Sequence, residues 1–125
     1  MVFWYFLLLI WGKIWYSAGR FVLLYRTEKG FVMPGIKDVV VRKPSDAEIA
    51  ECRTWPVWRG DVSRFDWDYT QTETCLLVEG KVTVYGRGED KESVTVQAGD
   101  LAVFPEGLLC VWEIKEPVAK YFSFT

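Results

Sequence analysis

The chain has 125 residues, a net charge of −2 and a hydrophobic content of 50%, which suits one domain with its own core. It contains no histidine, and this excludes Ser-His-Asp and Cys-His catalysis, histidine-based zinc sites and imidazole pH switches. The acidic balance argues against nucleic acid as a partner, because such proteins carry clustered basic residues. Three cysteines without a CxxC spacing favour a reducing compartment over a disulfide scaffold.

The first 25 residues are strongly apolar, with twenty hydrophobic residues and no acid. A transmembrane helix needs about 20 apolar residues in succession, whereas the run 2–11 is half that length and Lys13 follows soon after. A signal peptide should begin with positive charge, and a transit peptide should be richer in serine. A membrane anchor, a targeting segment and a non-native extension all stay open for residues 1–35, and so does association with a membrane.

From residue 36 onward, the pattern changes to short alternating segments separated by turn residues. Ser45 and Glu48 have the spacing of a capping box, which predicts a helix to about residue 51. Strands are predicted at 39–42, 61–69, 73–79, 81–85, 93–97, 101–104, 108–114 and 120–124. Many short strands with little helix predict an all-β sandwich or barrel over residues 36–125.

Five phrases between residues 55 and 124 occur in an order typical of one family: WPVW, FDWDY, ETCLLVEGKVTVY, AGDLAVFPEGLLCVWEI and VAKYFSF. This region resembles the small single-domain cupins, in particular the RmlC-like, (S)-ureidoglycine aminohydrolase-like family. The second cupin motif is matched at Gly99, Pro105 and Gly107, and the first at Glu73 and Gly80. The resemblance implies an antiparallel jelly-roll β-barrel, a cupin domain, whose inner face forms a pocket.

The resemblance also implies a metal site built from histidines and one glutamate. Of that set the chain keeps Glu73, and Cys110 stands where the last histidine would be. One carboxylate and one thiol make a poor site for a transition metal. We therefore expect no metal and no other cofactor.

Two strand registers compete for the positions of the earlier histidines. One places Trp67 and Tyr69 inside the barrel, and the other places Asp66 and Asp68 there, because a shift of one residue inverts every side chain. We prefer the first register, since Phe65, Trp67 and Tyr69 form the bulky apolar side of this segment.

The candidate catalytic residues are Glu73 and Cys110. A carboxylate beside aromatic rings is suited to proton transfer, whereas the thiol lacks a histidine that would activate it. The candidate ligand-binding residues are Trp67, Tyr69, Trp112, Arg64 and Tyr121.

Three functions follow from these residues, and the sequence leaves open whether the protein is an enzyme. The preferred function is the binding of a small polar metabolite in a metal-free, aromatic-lined barrel. The alternatives are a non-catalytic interaction or assembly module with a filled barrel, and a metal-dependent aminohydrolase-like enzyme. We also expect a homodimer that pairs through the strand at 39–42. An open cavity would favour the first function over the second. Contact between the rings of Phe65, Trp67, Tyr69 and Trp112 across the barrel would weaken the first function.

Overall fold

The computed structural model describes residues 33–125 and four short strands ahead of them. These are β1 (Lys13–Trp15), β2 (Phe21–Leu23), β3 (Tyr25–Thr27) and β4 (Gly30–Val32). They form two separate antiparallel pairs, β1 with β2 and β3 with β4. Most of the apolar run 1–25 lies outside the described residues. Among those that are described, no helix is long and apolar enough to cross a membrane.

The elements after residue 33 are mainly strands. They are a 3₁₀ turn (Ile36–Asp38), β5 (Val40–Arg42), α1 (Asp46–Cys52), β6 (Val57–Gly60), β7 (Ser63–Asp68), β8 (Glu73–Gly86), β9 (Ser93–Gln97), β10 (Leu101–Phe104) and β11 (Leu109–Phe124). Helix α1 begins as predicted, because the Ser45 hydroxyl accepts from the Glu48 amide at 3.2 Å and Glu48 accepts from the Ser45 amide at 3.0 Å.

All seven strands from β5 onward belong to one antiparallel sheet, with the order β5-β10-β8-β11-β6. The first half of β8 pairs with β10 and with the end of β11. The second half of β8 pairs with β9 and with the beginning of β11, which in turn pairs with β7. Two long strands thus pass from one side of the molecule to the other, and the sheet folds into the predicted jelly-roll barrel.

The sequence predicted breaks in both long strands, and the structure has none. Gly80 lies within β8 at a φ of 81°, and Pro117 lies within β11 where the register shifts. A Cβ atom on Gly80 would collide with the carbonyl oxygen of Pro117. The glycine and the proline therefore bend two paired strands at the same point instead of ending them.

The core has two parts. The larger cluster fills the barrel with the inward side chains of β8, β10 and β11, including Leu77, Phe104 and Trp112. A smaller cluster lies beneath α1, where Cys52 packs with Leu76 and Leu101. One surface of the sheet is thus covered by the helix, and the barrel interior remains as the place for a site.

Candidate functional site

The barrel contains a cavity of about 200 Å³ near its surface. Its wall has two chemical components: a buried ion pair, Glu73 with Lys120, and six aromatic side chains, Trp58, Phe65, Trp67, Trp112, Phe122 and Phe124. Among the described residues, the wall of the cavity is therefore apolar except for one acidic and one basic group that lie together.

Strand periodicity brings these side chains to one place. In β11, Lys120, Phe122 and Phe124 are two residues apart and share the face that lines the cavity. In β7, Phe65 and Trp67 reach the same cavity by the same rule. The register of β7 is the preferred one, with the apolar side chains inward.

The aspartates of β7 face the other way. Asp66 and Asp68 both accept from the guanidinium group of Arg87, which follows the end of β8. They do not join Glu73, so the alternative register and its cluster of three carboxylates are absent from the described barrel.

Glu73 lies at the start of β8 with 3% of its side chain exposed. Its Oε1 accepts from the Tyr69 hydroxyl at 2.9 Å, and its Oε2 accepts from Lys120 Nζ at 2.7 Å. Burial and the negative charge of Glu73 raise the pKa of Tyr69 well above its ordinary value. The phenol therefore keeps its proton and donates a hydrogen bond to the carboxylate. The carboxylate is thus held from two sides.

The ammonium group of Lys120 is also surrounded by rings. It lies 4.4 Å from the ring centre of Trp112 and 5.2 Å from that of Trp58. Both distances are within the range of cation–π attraction. The two indoles and Glu73 together stabilise a charge that would otherwise be costly to bury.

The interior behind the cavity is filled by packed rings. Tyr69 stacks on Phe104 with ring centres 5.1 Å apart, and Phe104 contacts Trp112 at 5.6 Å. Phe65 stacks on Trp112 at 6.3 Å. The indole N–H of Trp112 is buried and finds no acceptor among the described residues.

Cys110 is buried in the barrel core, where its thiol lies 3.4 Å from the carbonyl oxygen of Trp67. Burial raises the pKa of Cys110 to about 12, so the thiol stays protonated and is a poor nucleophile at neutral pH. Cys110 is not among the residues that line the cavity. Of the two candidate catalytic residues, Glu73 alone reaches it.

Two candidate ligand-binding residues lie elsewhere. Arg64 is on the outer face of β7, where it pairs with Glu113 at 3.1 Å and lies over the ring of Tyr85. Tyr121 packs in the cluster beneath α1, because it has the opposite strand parity to Lys120. Both are therefore removed from the candidate site, which keeps Trp67 and Trp112 in the cavity wall and Tyr69 behind Glu73.

The residues at the metal positions of the resemblance do not fit a metal ion. Lys120 Nζ lies 2.7 Å from Glu73 Oε2, so its positive charge would repel a metal ion there, and Cys110 does not line the cavity. Among the residues that the structure describes, no three His, Cys, Asp or Glu side chains come together as ligands. The cation beside Glu73 is the chain's own lysine.

The pairing of Lys120 with Glu73 was not predicted from the sequence. The alternation of Lys120 with Phe122 and Phe124 was the available signal, since three residues at period two share one face of a strand. The sequence instead indicated Tyr121 for its hydroxyl group, and this residue lies on the opposite face of β11.

Residues 48–122 match the family model of the EutQ-like cupin domain, so the chain belongs to the EutQ-like cupin family. A DUF861 family protein of Thermotoga maritima is 40% identical with a TM-score of 0.66, and the match covers 70% of this chain and 100% of that one. An ethanolamine utilization protein Q of Salmonella typhimurium is 15% identical over 90% of each chain, with a TM-score of 0.48. The EutQ protein of Clostridium difficile is 13% identical over 90% of this chain and 91% of its own, with a TM-score of 0.46. No curated protein matches the chain.

Proposed function

We propose that this cupin binds a compact small molecule in the aromatic cavity. The observation that carries the proposal is a cavity of about 200 Å³ that combines six aromatic side chains with the Glu73–Lys120 ion pair. Apolar walls with a few convergent polar groups are the usual composition of a small-molecule site.

The rim of the cavity supports a binding role. Trp67 is 45% exposed and Phe124 is 41% exposed, and both line the cavity. Large aromatic side chains that border a concave site contribute contact area when a ligand covers them. The ring contacts Phe65–Trp112 and Trp67–Tyr69 favour the alternative, an assembly module whose barrel is filled by its own side chains. Such a module would not need Trp67 and Phe124 at the opening of a cavity, and this favours the binding role.

The Glu73–Lys120 ion pair also supports a binding role. A buried ion pair contributes little to net stability, and replacing both partners with apolar residues is often neutral or favourable. Glu73 and Lys120 therefore are better explained by a ligand than by the fold. Any proton transfer in the cavity would pass through Glu73, with Tyr69 and Lys120 as its partners.

A metal-dependent aminohydrolase-like activity has less support, because the donor set around Glu73 does not suit a metal. Membership of the ureidoglycine aminohydrolase-like subfamily stays a prediction, and the metal-free site is part of our proposal. Glu73, Lys120 and the aromatic wall supply recognition without a cofactor.

A second candidate function is assembly through β5. This strand is the end member of its sheet among the described residues, and Val40 on it is 46% exposed. An edge strand with an exposed apolar residue is suited to pairing with a second copy. Sedimentation analysis should then show a dimer that Val40→Lys converts to a monomer.

The binding proposal is tested by thermal-shift screening of the full chain against compact polar metabolites. A ligand at 100 times its Kd adds about 2.7 kcal/mol to stability. Trp67→Ala should abolish most of the shift because it removes part of the cavity wall. Tyr85→Ala is the matched control, since Tyr85 lies on the outer face beneath Arg64. An equal loss in both variants, or no hit in the wild type, would contradict the proposal.

A further inference from the structure

We propose that the cavity selects a neutral, flat ligand that carries an N–H group next to a C=O group, as in a lactam ring or a cis-amide. This inference rests on the proposed binding function and names the chemical class of its ligand. It is drawn from the charges, the hydrogen-bonding capacity and the shape of the cavity wall.

The charges of the wall disfavour an ionised ligand. Lys120 Nζ and Glu73 Oε2 are 2.7 Å apart and both side chains are buried, at 8% and 3% exposure. An anion that approached the ammonium would meet the carboxylate beside it, and a cation that approached the carboxylate would meet the ammonium. Because burial strengthens such repulsion, the neutral pair favours a neutral ligand.

The hydrogen-bonding groups of the pair are only partly used. An ammonium group has three N–H donors, and the structure gives Lys120 one oxygen acceptor among the described residues, Glu73. Each oxygen of Glu73 accepts one hydrogen bond and can accept another. The pair thus offers one donor and one acceptor side by side to a ligand.

The spacing of that donor and acceptor fits an amide. In a planar amide the oxygen and nitrogen are about 2.3 Å apart, from the standard C=O and C–N bond lengths. Lys120 Nζ and Glu73 Oε2 are separated by 2.7 Å. A cis-amide can therefore accept from the lysine and donate to the glutamate with two nearly parallel hydrogen bonds, both assisted by charge.

The rest of the wall fits a flat ring. Its other components are aromatic, and rings favour offset or edge contacts with a planar conjugated body. A water occupies roughly 30 Å³ in the liquid, so a cavity of about 200 Å³ has room for one five- or six-membered ring with small substituents. An apolar ring without polar groups would leave the remaining capacity of Glu73 and Lys120 desolvated and unused.

The test is calorimetric titration of the full chain with four probes of similar size. 2-Pyridone carries the adjacent N–H and C=O, N-methyl-2-pyridone lacks the donor, benzoate is an anion, and benzylamine is a cation at neutral pH. We expect 2-pyridone to bind at least tenfold more tightly than each of the other three probes. N-methyl-2-pyridone loses a hydrogen bond to a charged group, and benzoate and benzylamine each meet a like charge in the pair. Trp67→Ala should weaken the binding of 2-pyridone, and this loss would place the probe in the cavity.

Two variants reverse the preference. Glu73→Gln leaves the positive charge of Lys120 without its partner, so benzoate should gain affinity relative to 2-pyridone. Lys120→Met leaves the negative charge of Glu73 without its partner, so benzylamine should gain affinity relative to 2-pyridone. The probe series on the wild type stands by itself if either variant folds poorly.

The outcomes separate this inference from the proposed function. If benzoate, benzylamine or N-methyl-2-pyridone binds the wild type as tightly as 2-pyridone and Trp67→Ala weakens it, the neutral-amide class is overturned and the binding site stands. If none of the four probes binds, the neutral-amide class is overturned, and the metabolite screen decides separately on the proposed function. If Trp67→Ala leaves the binding of every probe unchanged, the inference and the proposed cavity site are both overturned.

Discussion

The ammonium nitrogen of Lys120 lies 2.7 Å from Oε2 of Glu73, with both side chains enclosed by the barrel. The two residues come from the start of β8 and the end of β11, which pair as neighbours in the sheet. Their charges cancel within a wall that is otherwise aromatic. Removing one partner therefore differs physically from removing both.

Lys120→Met or Glu73→Gln alone should each lower the free energy of unfolding by about 3–5 kcal/mol, because each leaves one buried charge without its partner. The double variant should recover most of that loss. Urea denaturation of the wild type, the two single variants and the double variant measures the three losses in free energy of unfolding.

An exposed ion pair provides the control for that cycle. Arg59 and Glu79 are 3.1 Å apart with side chains 68% and 57% exposed, and Arg59→Met should cost at most about 1 kcal/mol. Additive losses in the Glu73/Lys120 double variant would show that the two buried groups are stabilised independently, against this account of the pair.

The sequence predicted the type of fold and one wall of the site. Alternation from β7 into the next residue was strong enough to choose Phe65, Trp67 and Tyr69 as the inward side. The other side of the strand carries Arg64, Asp66 and Asp68, which are all charged. The sequence did not show which alternating set of β11 side chains faces the barrel interior. Lys120 and Tyr121 belong to opposite sets, and both have polar ends and apolar bodies. Only the pairing of β11 with β8 decides which of the two faces Glu73.

The continuity of the long strands was also beyond the sequence. Glycine and proline normally predict strand ends, and local patterns do not show that Gly80 and Pro117 lie against each other. Their contact depends on the register between β8 and β11, which is a tertiary property. The same contact leads to a prediction about stability.

Gly80→Ala should destabilise the protein severely. A left-handed conformation costs a non-glycine residue about 1–2 kcal/mol, and at Gly80 the new methyl group would also collide with the carbonyl oxygen of Pro117. Gly88→Ala is the matched control, because Gly88 also has a positive φ, 69°, and a Cβ there meets nothing within 4 Å. Thermal denaturation should show a clearly larger loss for Gly80→Ala, and equal losses would contradict the proposed contact.

Stability should fall as the pH rises above about 9. Burial raises the pKa of Cys75 and of Cys110 from 9.0 to about 12, so between these values the unfolded chain releases protons that the folded chain retains. The unfolded state then binds fewer protons, and the free energy of unfolding decreases with pH. The contribution is fully present below pH 9 and is lost as the pH approaches 12. Urea titrations at pH 7.5, 9 and 10 measure the slope, which should be shallower in the Cys75→Ala/Cys110→Ala variant. An unchanged slope in that variant would exclude the thiols as its source.

A chain that begins at Met33 should fold with the same unfolding midpoint as the full chain. Among the described strands, none from before residue 40 belongs to the seven-stranded sheet. The Thermotoga relative is matched over its whole length by 70% of this chain. The first residues of the fragment still matter, because the Ile36 amide donates to Asp90 at 2.8 Å and the Ile36 side chain is buried in the core. A fragment that begins at Lys37 is therefore the control, and it should be less stable. Aggregation of the Met33 fragment alongside a well-behaved full chain would instead make residues 1–32 an integral part of the fold.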